Sequence, residues 1–130
     1  MCHQTVSLIA RHFEENGIAT VIVGSALDIV EHCGVPRFLF TDFPLGNPCG
    51  KPYDAGMQRD IVNRALTLFE TARQPRTTER APFTWSADQS WRDRYLEVRE
   101  EDLPRLRQLG EERRAHRARL RAEGRVRRDD

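Results

Sequence analysis

The stretch from Phe38 to Pro52 constrains the fold of this chain more than any other. A strand-length apolar run at residues 37–41 leads directly into a loop that contains three prolines, two glycines, an aspartate, a cysteine and a lysine. A helix-like pattern begins just after Asp54. A strand, a rigid loop and a helix in this order are typical of open α/β sheets, which place binding sites at the carboxyl ends of their strands. We therefore predict an α/β fold with a site in this loop.

Apolar periodicity divides the first part of the chain into alternating helices and strands. Apolar residues recurring every three or four positions predict helices over residues 4–16, 26–33 and 55–73. A continuous apolar run rich in β-branched residues predicts a strand over residues 18–23, as in a parallel sheet that is buried on both faces. A second strand is predicted over residues 37–41. The core-facing positions are expected to be Val6, Ile9 or Ala10, and Phe13 in the first helix, and Met57, Ile61, Val62, Ala65, Leu66, Leu68 and Phe69 in the longest one.

Residues with known capping preferences stand at the expected helix ends. Gly17 and Gly34 are positioned to end the first two helices. Ser25 and Asp28 resemble a capping box for the second helix, and Asp54 is placed to cap the third.

The expected architecture is a small, partial doubly wound α/β domain over residues 1–74, with a short parallel sheet and flanking helices. Two strands are too few for a stable sheet, since three or more are normally needed. We therefore expect a strand upstream of the first helix, or a partner chain that completes the sheet. Residues 75–130 are expected to form an extended linker and a charged C-terminal helical extension. Within them, a capping box at residues 86–89 predicts a helix carrying Trp91 and Tyr95, and a solvated helix is predicted over residues 100–123.

Composition limits the classes of function. With 130 residues, 38% apolar residues and a mean hydropathy of −0.67, the chain allows one small domain. No run reaches the roughly 18 apolar residues of a membrane span, and the first residues show no signal-peptide pattern. Three cysteines without framework spacing favour a reducing compartment. We expect a cytoplasmic protein with no membrane association and no bound cofactor.

Positive charge is concentrated in the tail. Residues 105–128 contain ten arginines and three glutamates, although the whole chain has a net charge of only +1. This segment has no interleaved aromatic residues and no recognised nucleic-acid motif. A solvated charged helix is the default interpretation, and nucleic-acid binding is the disfavoured alternative.

Cys2 and His3 stand directly before the first predicted helix. Free amide hydrogens and the helix dipole stabilise a thiolate there, and a neighbouring imidazolium would add to that effect. The functional interpretation is a reactive thiol that acts as a nucleophile or redox partner; the alternative is a terminus without a role. Cys33 ends an apolar helix stripe and is expected to be a buried structural thiol.

The loop after the second strand supplies a second set of candidate site residues: Asp42, Pro44, Leu45, Gly46, Asn47 and Cys49. Asp42 is able to orient a cation or a thiol, the amides of Gly46 and Asn47 can bind an anion, and Cys49 can form a redox pair with Cys2. Alternatively, the prolines and glycines simply build consecutive turns, and Cys49 is an ordinary loop residue. The sequence has no nucleotide-binding glycine pattern, and its cysteines and histidines lack the spacing of zinc sites, so no metal is expected.

Three segments together resemble a known family. They are Cys-His-Gln-Thr-Val-Ser-Leu-Ile-Ala-Arg at residues 2–11, Asn-Gly-Ile-Ala-Thr-Val at 16–21, and Phe-Pro-Leu-Gly-Asn-Pro at 43–48, followed by the helix at 57–69. Their order and spacing over residues 2–72 are similar to the C-terminal part of the selenoprotein B subunits of glycine, sarcosine and betaine reductase and of D-proline reductase. The most specific feature is the Pro-Leu-Gly-Asn-Pro turn after a strand. Residues 75–130 have no counterpart.

The resemblance implies an oxidoreductase that reductively cleaves an amino acid or a related amine. In that family a selenocysteine attacks the activated substrate carbon and displaces the amine. The resemblance places Cys2 at the cysteine of a motif like Sec-x-x-Cys, so the selenocysteine would lie three residues earlier, outside this sequence. An upstream in-frame codon for selenocysteine or cysteine, preceded by an apolar strand, is the corresponding expectation.

Two functions therefore follow from the sequence. The first is a thiol- or selenol-dependent reductase domain, whole or truncated, in which the loop Asp42–Asn47 completes the pocket for a small amino-acid-like substrate. The second is a non-catalytic subunit or assembly module that completes its sheet with a partner chain. The expected partners are a second copy of the chain or another reductase subunit.

Overall fold

The computed structural model describes residues 2–94 and 97–124 of the chain. The elements follow in the order α1 (Cys2–Glu15), β1 (Ile22–Gly24), α2 (Leu27–Cys33), β2 (Arg37–Phe40), α3 (Ala55–Thr71), β3 (Thr77–Arg80), α4 (Trp91–Arg94), a 3-10 turn (Glu100–Asp102) and α5 (Leu103–Ala122). Contacts divide the chain into two compact units that meet in the sequence between Arg92 and Asp93. The predicted α/β class is confirmed in the first unit, where helices alternate with parallel strands.

The sheet is parallel and has three strands, with β2 between β1 and β3. Val23, Leu39 and Glu79 lie side by side in its register. The sequence analysis missed β3 because Thr-Thr-Glu-Arg contains no apolar run and none of its residues is buried. Such a strand forms through backbone hydrogen bonds to its neighbour, which do not depend on an apolar pattern. The prediction of only two strands is therefore wrong.

Helices cover both faces of the sheet. On one face, Ala10 of α1 and Val30 of α2 pack with Ile22, Phe38 and Phe40 of the strands. The opposite face is covered by α3, through a cluster that consists of Leu39, Phe43, Ile61, Ala65 and Leu68. Since alternate residues of β2 point to opposite faces, this strand contributes to both clusters. The long α3 stripe was predicted correctly at its centre, whereas Val62, Leu66 and Phe69 are 45%, 54% and 38% exposed.

The helix α1 turns a different face to the sheet from the predicted one. Val6, Ile9 and Phe13 are 42%, 47% and 43% exposed, whereas Ser7 and Ala10 are buried. The apolar stripe that periodicity assigned to the core therefore lies on the surface, and the alternative position Ala10 is the one that packs.

Polar contacts explain this orientation of α1. Glu14 Oε1 accepts hydrogen bonds from Thr20 Oγ1 over 2.9 Å and from Arg37 Nη1 over 3.0 Å. At the other end of the helix, His3 Nε2 accepts a hydrogen bond from the amide of Ser25. A half-buried ion or imidazole requires a specific partner, whereas an apolar side chain can leave the core at a cost of about 1.5–3 kcal/mol. The inward positions of His3 and Glu14 thus set the rotation of the helix.

The strand β1 is shorter than predicted. It begins at Ile22, not at Ile18, whose amide donates to Phe13 O at the end of α1 and whose side chain is 55% exposed. The β-branched run 18–21 is thus part of the helix-to-strand connection.

The predicted helix caps have mixed outcomes. Asp54 accepts a hydrogen bond from the amide of Met57, so it caps α3 as predicted. Gly34 ends α2 in the left-handed conformation, also as predicted. The capping box at Ser25 is wrong: the residue before α2 is Ala26, which makes no side-chain cap. The Ser25 hydroxyl is buried and has no hydrogen-bond partner among the described residues.

The described part of α5 has no buried residue, which agrees with the predicted solvated helix. The predicted helix at Ser86 begins only at Trp91, and Tyr95 lies outside the described residues. Among the helices that the structure describes, none combines the length and the apolar character that crossing a membrane requires.

Candidate functional site

The first turn of α1 brings Cys2 and His3 to the carboxyl end of β1. Cys2 is exposed, and its Sγ lies 3.8 Å from His3 Nδ1. The amide of Ser25, the residue after β1, donates a hydrogen bond of 3.1 Å to His3 Nε2. His3 therefore links the tip of the helix to the end of the strand.

These contacts determine the tautomer of His3. A backbone N–H is always a donor, so Nε2 must be the unprotonated nitrogen of a neutral imidazole. The ring proton is then on Nδ1, which points to the Cys2 sulfur. The imidazolium considered from the sequence would carry a proton on Nε2 and could not accept from Ser25, so this contact fits the neutral ring. In this tautomer His3 Nδ1–H is in position to donate a hydrogen bond to Cys2 Sγ.

Close packing fixes the position of the imidazole. Ser7 Oγ donates to His3 O over 2.7 Å within the helix. A Cβ on Gly24 would lie only 3.0 Å from His3 Cδ2 and 3.3 Å from Phe38 Cε2. The ring thus occupies the space that a side chain at position 24 would need.

Thr41 attaches the Pro/Gly loop to the same carboxyl-terminal edge of the sheet, where β1 and β2 end. Its amide donates to Gly24 O over 2.9 Å, and its hydroxyl donates to Pro48 O over 2.9 Å. Thr41 is completely buried, whereas its acceptor Pro48 is half-buried. Because Gly24 contacts His3 on one side and Thr41 on the other, the helix tip and the loop are held by one short segment of β1.

The loop itself is a turn in which Gly46 has a positive φ of 94°. The amide of Asn47 donates to Pro44 O over 3.0 Å, and the amide of Gly50 donates to Asn47 O. The Asn47 amide is therefore used inside the turn. Positive φ is the conformation in which glycine is favoured, which agrees with the structural interpretation of this segment.

Asp42 forms an ion pair that the sequence analysis did not foresee. Its Oδ2 accepts a hydrogen bond from Arg92 Nη2. This hydrogen bond is the main cause that raises the pKa of the Arg92 guanidinium. The cation beside Asp42 is thus supplied by the chain. No sequence signal connects the two residues, because they are 50 positions apart and Arg92 lies beyond the segment that resembles a known family.

Aromatic packing supports the base of the loop. The rings of Phe43 and Trp85 lie 5.4 Å apart, and Lys51 Nζ lies 6.0 Å from the centre of the Trp85 ring. Phe43 is buried, so the start of the loop is fixed from the α3 side of the sheet.

The other predicted site residues are more exposed. Pro44 is half-buried, and Leu45 is 47% exposed. Cys49 is exposed and, like Cys2, is not in a disulfide. Cys33 is half-buried and not in a disulfide, so it is less buried than the structural thiol that the sequence predicts. Within the described residues no group of three potential metal ligands comes together.

Sequence reasoning missed several residues that build this edge. Gly24 and Ser25 follow an apolar run and Thr41 ends the next one, so their place after two parallel strands was a usable signal. Arg92 had no such signal. These residues together hold Cys2, His3 and Asp42 on an open edge of the sheet.

Comparisons with known proteins give one informative relative. The D-proline reductase subunit gamma of Acetoanaerobium sticklandii is 32% identical to this chain over 65 residues, which make up 50% of this chain and 27% of that protein. The chain thus spans about a quarter of the length of the curated relative it matches. No known protein-family model matches the chain, and no solved structure matches it. The similarity supports only a distant relation to the D-proline reductase family.

Proposed function

We propose that this chain is a reductase-related domain in which Cys2 is a reactive thiol for the reductive cleavage of an amino acid or a related amine. The distant relation to a D-proline reductase subunit supports the reaction class. The single observation that carries the role of Cys2 is the hydrogen-bond series from Ser25 N through the His3 ring to Cys2 Sγ.

The proposed chemistry uses Cys2 as the nucleophile. Its thiolate forms a bond to the activated substrate carbon, and the amine leaves with the electron pair of the carbon–nitrogen bond. A second thiol then attacks Cys2 Sγ and forms a disulfide, while the carbon leaves with the electron pair and takes a proton. The substrate gains two electrons and the two thiols lose them. Where a selenol makes the first attack, as the family resemblance implies, Cys2 is the thiol that resolves the adduct.

Alkylation of the full chain tests the role of Cys2. Iodoacetamide labelling followed by mass spectrometry measures Cys2 and Cys49 in the same sample, and Cys49 is an exposed cysteine without a contacting histidine in the described structure. We expect His3→Ala to slow labelling of Cys2 about fivefold relative to Cys49, since one hydrogen bond contributes about 1 kcal/mol. His12→Ala, on the same helix, should leave the ratio unchanged. An unchanged ratio in His3→Ala contradicts the role of His3.

Turnover tests the reaction class. The purified chain is incubated with dithiothreitol and with D-proline, glycine, sarcosine or betaine. Reductive cleavage of D-proline gives a ring-opened product with two additional hydrogen atoms, which mass spectrometry detects. We expect product with the wild-type chain and none with Cys2→Ser. Absence of product from a chain with a reactive Cys2 favours the second candidate function.

The second candidate is an assembly module, and the exposed apolar faces favour it. Val6, Ile9 and Phe13 form one such face on α1, and Val62, Leu66 and Phe69 form another on α3. Contiguous exposed apolar surface of this kind marks protein–protein interfaces. A second copy of the chain or another reductase subunit is the proposed partner. Light scattering coupled to size-exclusion chromatography would contradict self-association if the chain elutes as a monomer at high concentration.

A further inference from the structure

The ion pair between Asp42 and Arg92 holds a guanidinium at the same edge as Cys2. Asp42 directly follows Thr41, which is hydrogen-bonded to Gly24, and Gly24 contacts the His3 ring. Arg92 is further fixed by a hydrogen bond of 3.1 Å from its Nε to Gln89 Oε1. Its guanidinium carbon lies 4.9 Å from the centre of the Trp91 ring. Three contacts thus orient this arginine, although its side chain is 46% exposed.

The pair has unused hydrogen-bonding capacity on both partners. Arg92 donates to Asp42 from Nη2 and to Gln89 from Nε, and none of the described residues accepts a bond from Nη1. On the carboxylate, Oδ2 is the atom that contacts Arg92. An arginine can donate five hydrogen bonds and a carboxylate can accept about four, so both groups can bind a further molecule without separating.

We infer that Asp42 and Arg92 bind the zwitterionic end of an amino-acid substrate. Arg92 Nη1 donates to the substrate carboxylate, and Asp42 Oδ1 accepts from the substrate ammonium group. An amino acid carries one positive and one negative group, as this ion pair does. With the substrate carboxylate beside Arg92 and the substrate ammonium beside Asp42, each charged group lies next to a group of the opposite sign. Asp42 also keeps the amine protonated, which is the form that leaves a carbon readily.

This inference rests on the proposed function and names its ligand chemistry. It assigns to Asp42 the cation-binding role considered from the sequence, with Arg92 as the second residue. Because both side chains are about half exposed, binding should be weak, with a dissociation constant of about 1 mM or more.

Nuclear magnetic resonance titration of the 15N-labelled full chain tests the inference. The Nε–H signal of Arg92 and the indole N–H signal of Trp91 report directly on the site. The ligands are D-proline, cyclopentanecarboxylate, which lacks the amine, and D-prolinamide, which lacks the carboxylate. D-Proline should shift both signals, and each of the other two ligands should bind more weakly.

Two variants separate the two charges. Arg92→Gln should weaken the binding of D-proline and of cyclopentanecarboxylate about tenfold, since a hydrogen bond to a charged group contributes about 1.5–3 kcal/mol. Asp42→Asn should weaken D-proline and D-prolinamide but not cyclopentanecarboxylate. Arg64→Gln is the matched control: Arg64 forms an ion pair with Glu79 at similar exposure, 45% against 46% for Arg92, and its loss should change no affinity.

Unchanged D-proline affinity in Arg92→Gln overturns the inference, as does the absence of any D-proline shift at Arg92 or Trp91. If Arg92→Gln fails to fold, Asp42→Asn decides the question. Unchanged D-proline affinity in that variant overturns the inference. Cys2 labelling tests the proposed function independently of this inference, because it needs no ligand. A chain that does not bind D-proline but retains a His3-dependent Cys2 leaves the proposed function standing and removes only this inference.

Discussion

At the scale of single residues, the carboxyl-terminal edge of the sheet depends on a glycine that lacks a Cβ and on one buried hydroxyl group. Gly24 has no Cβ, and the space is filled by His3 and Phe38. Thr41 uses a buried hydroxyl to hold the loop at Pro48. Neither residue is itself a candidate for chemistry, yet each positions a part of the candidate site. Their roles can be separated by substitutions that change one property at a time.

Gly24→Ala should displace the His3 ring. The added methyl group would lie 3.0 Å from His3 Cδ2, closer than ordinary contact distances. We expect a loss of about 1–3 kcal/mol in the free energy of unfolding from overpacking, measured by urea denaturation. We also expect Cys2 labelling to slow as in His3→Ala. Full Cys2 reactivity in a folded Gly24→Ala chain would disprove the positioning role of this glycine.

Thr41→Val should weaken the attachment of the loop. The substitution keeps the shape of the side chain and leaves the carbonyl of Pro48 without its donor, at a cost of about 1–3 kcal/mol in unfolding free energy. Thr71→Val is the control, because the Thr71 hydroxyl donates to Thr67 O at an exposed position and its loss should cost less than about 0.5 kcal/mol. Equal losses of unfolding free energy in the two variants would mean that the hydrogen bond to Pro48 contributes no more to stability than an exposed one.

At the scale of elements, α1 shows how polar contacts can override an apolar pattern. Its most regular apolar stripe lies outward, while a helix face that contains His3, Ser7, Ala10 and Glu14 turns inward. Periodicity correctly predicted a helix but assigned the wrong face to the core. The pattern alone measures amphipathicity and does not distinguish a core from an interface with another chain.

Neighbouring substitutions in α1 test its orientation. Ile9→Gln alters a side chain that is 47% exposed and should change the unfolding free energy by less than about 0.5 kcal/mol. Ala10→Gln places a larger polar group at a position that is 3% exposed and should cost about 2 kcal/mol or more. The reverse order of costs in urea denaturation would restore the orientation that the sequence pattern predicts. Loss of a dimer in Ile9→Gln would assign the outward face to assembly.

The predictable parts of the fold are those determined by neighbours in sequence. Asp54 caps α3 and Gly34 ends α2 because caps depend on a few adjacent residues. The central α3 stripe was also predictable. The strand β3 was not, because its pairing partner lies 40 residues earlier, as in Arg37 opposite Thr77. For the candidate site, sequence reasoning selected Cys2, His3 and Asp42 but found neither the Ser25 contact nor Arg92.

At the scale of the whole molecule, the first compact unit extends well beyond the segment that resembles a known family. Ala81 N donates to Phe40 O, Trp85 packs on Phe43, and Arg92 pairs with Asp42. Residues that the sequence assigned to a linker thus supply the third strand of the sheet and contact the loop after β2.

Truncation tests this extent. A chain ending at residue 92 should keep a cooperative thermal transition close to that of the full chain, because α5 has no buried residue in its described part. A chain ending at residue 74 should lose cooperative unfolding, since it lacks β3 and a two-stranded sheet is marginal in water. Circular dichroism melting curves distinguish the two. Equal melting temperatures for both truncations would show that β3 is not needed.

The amino-acid sequence alone determined the Asp54 cap of α3, the Gly34 stop of α2, the apolar segments that contain the inner strands, and which thiol stands at a helix tip. These properties depend on residues within a few positions of each other. Only the tertiary structure decided which face of α1 is inward, that Thr77–Arg80 is a strand, that the Ser25 amide donates to His3 Nε2, and that Asp42 already has a cation. Each of these depends on a hydrogen bond or ion pair between distant segments, and local patterns carry no information about such partners.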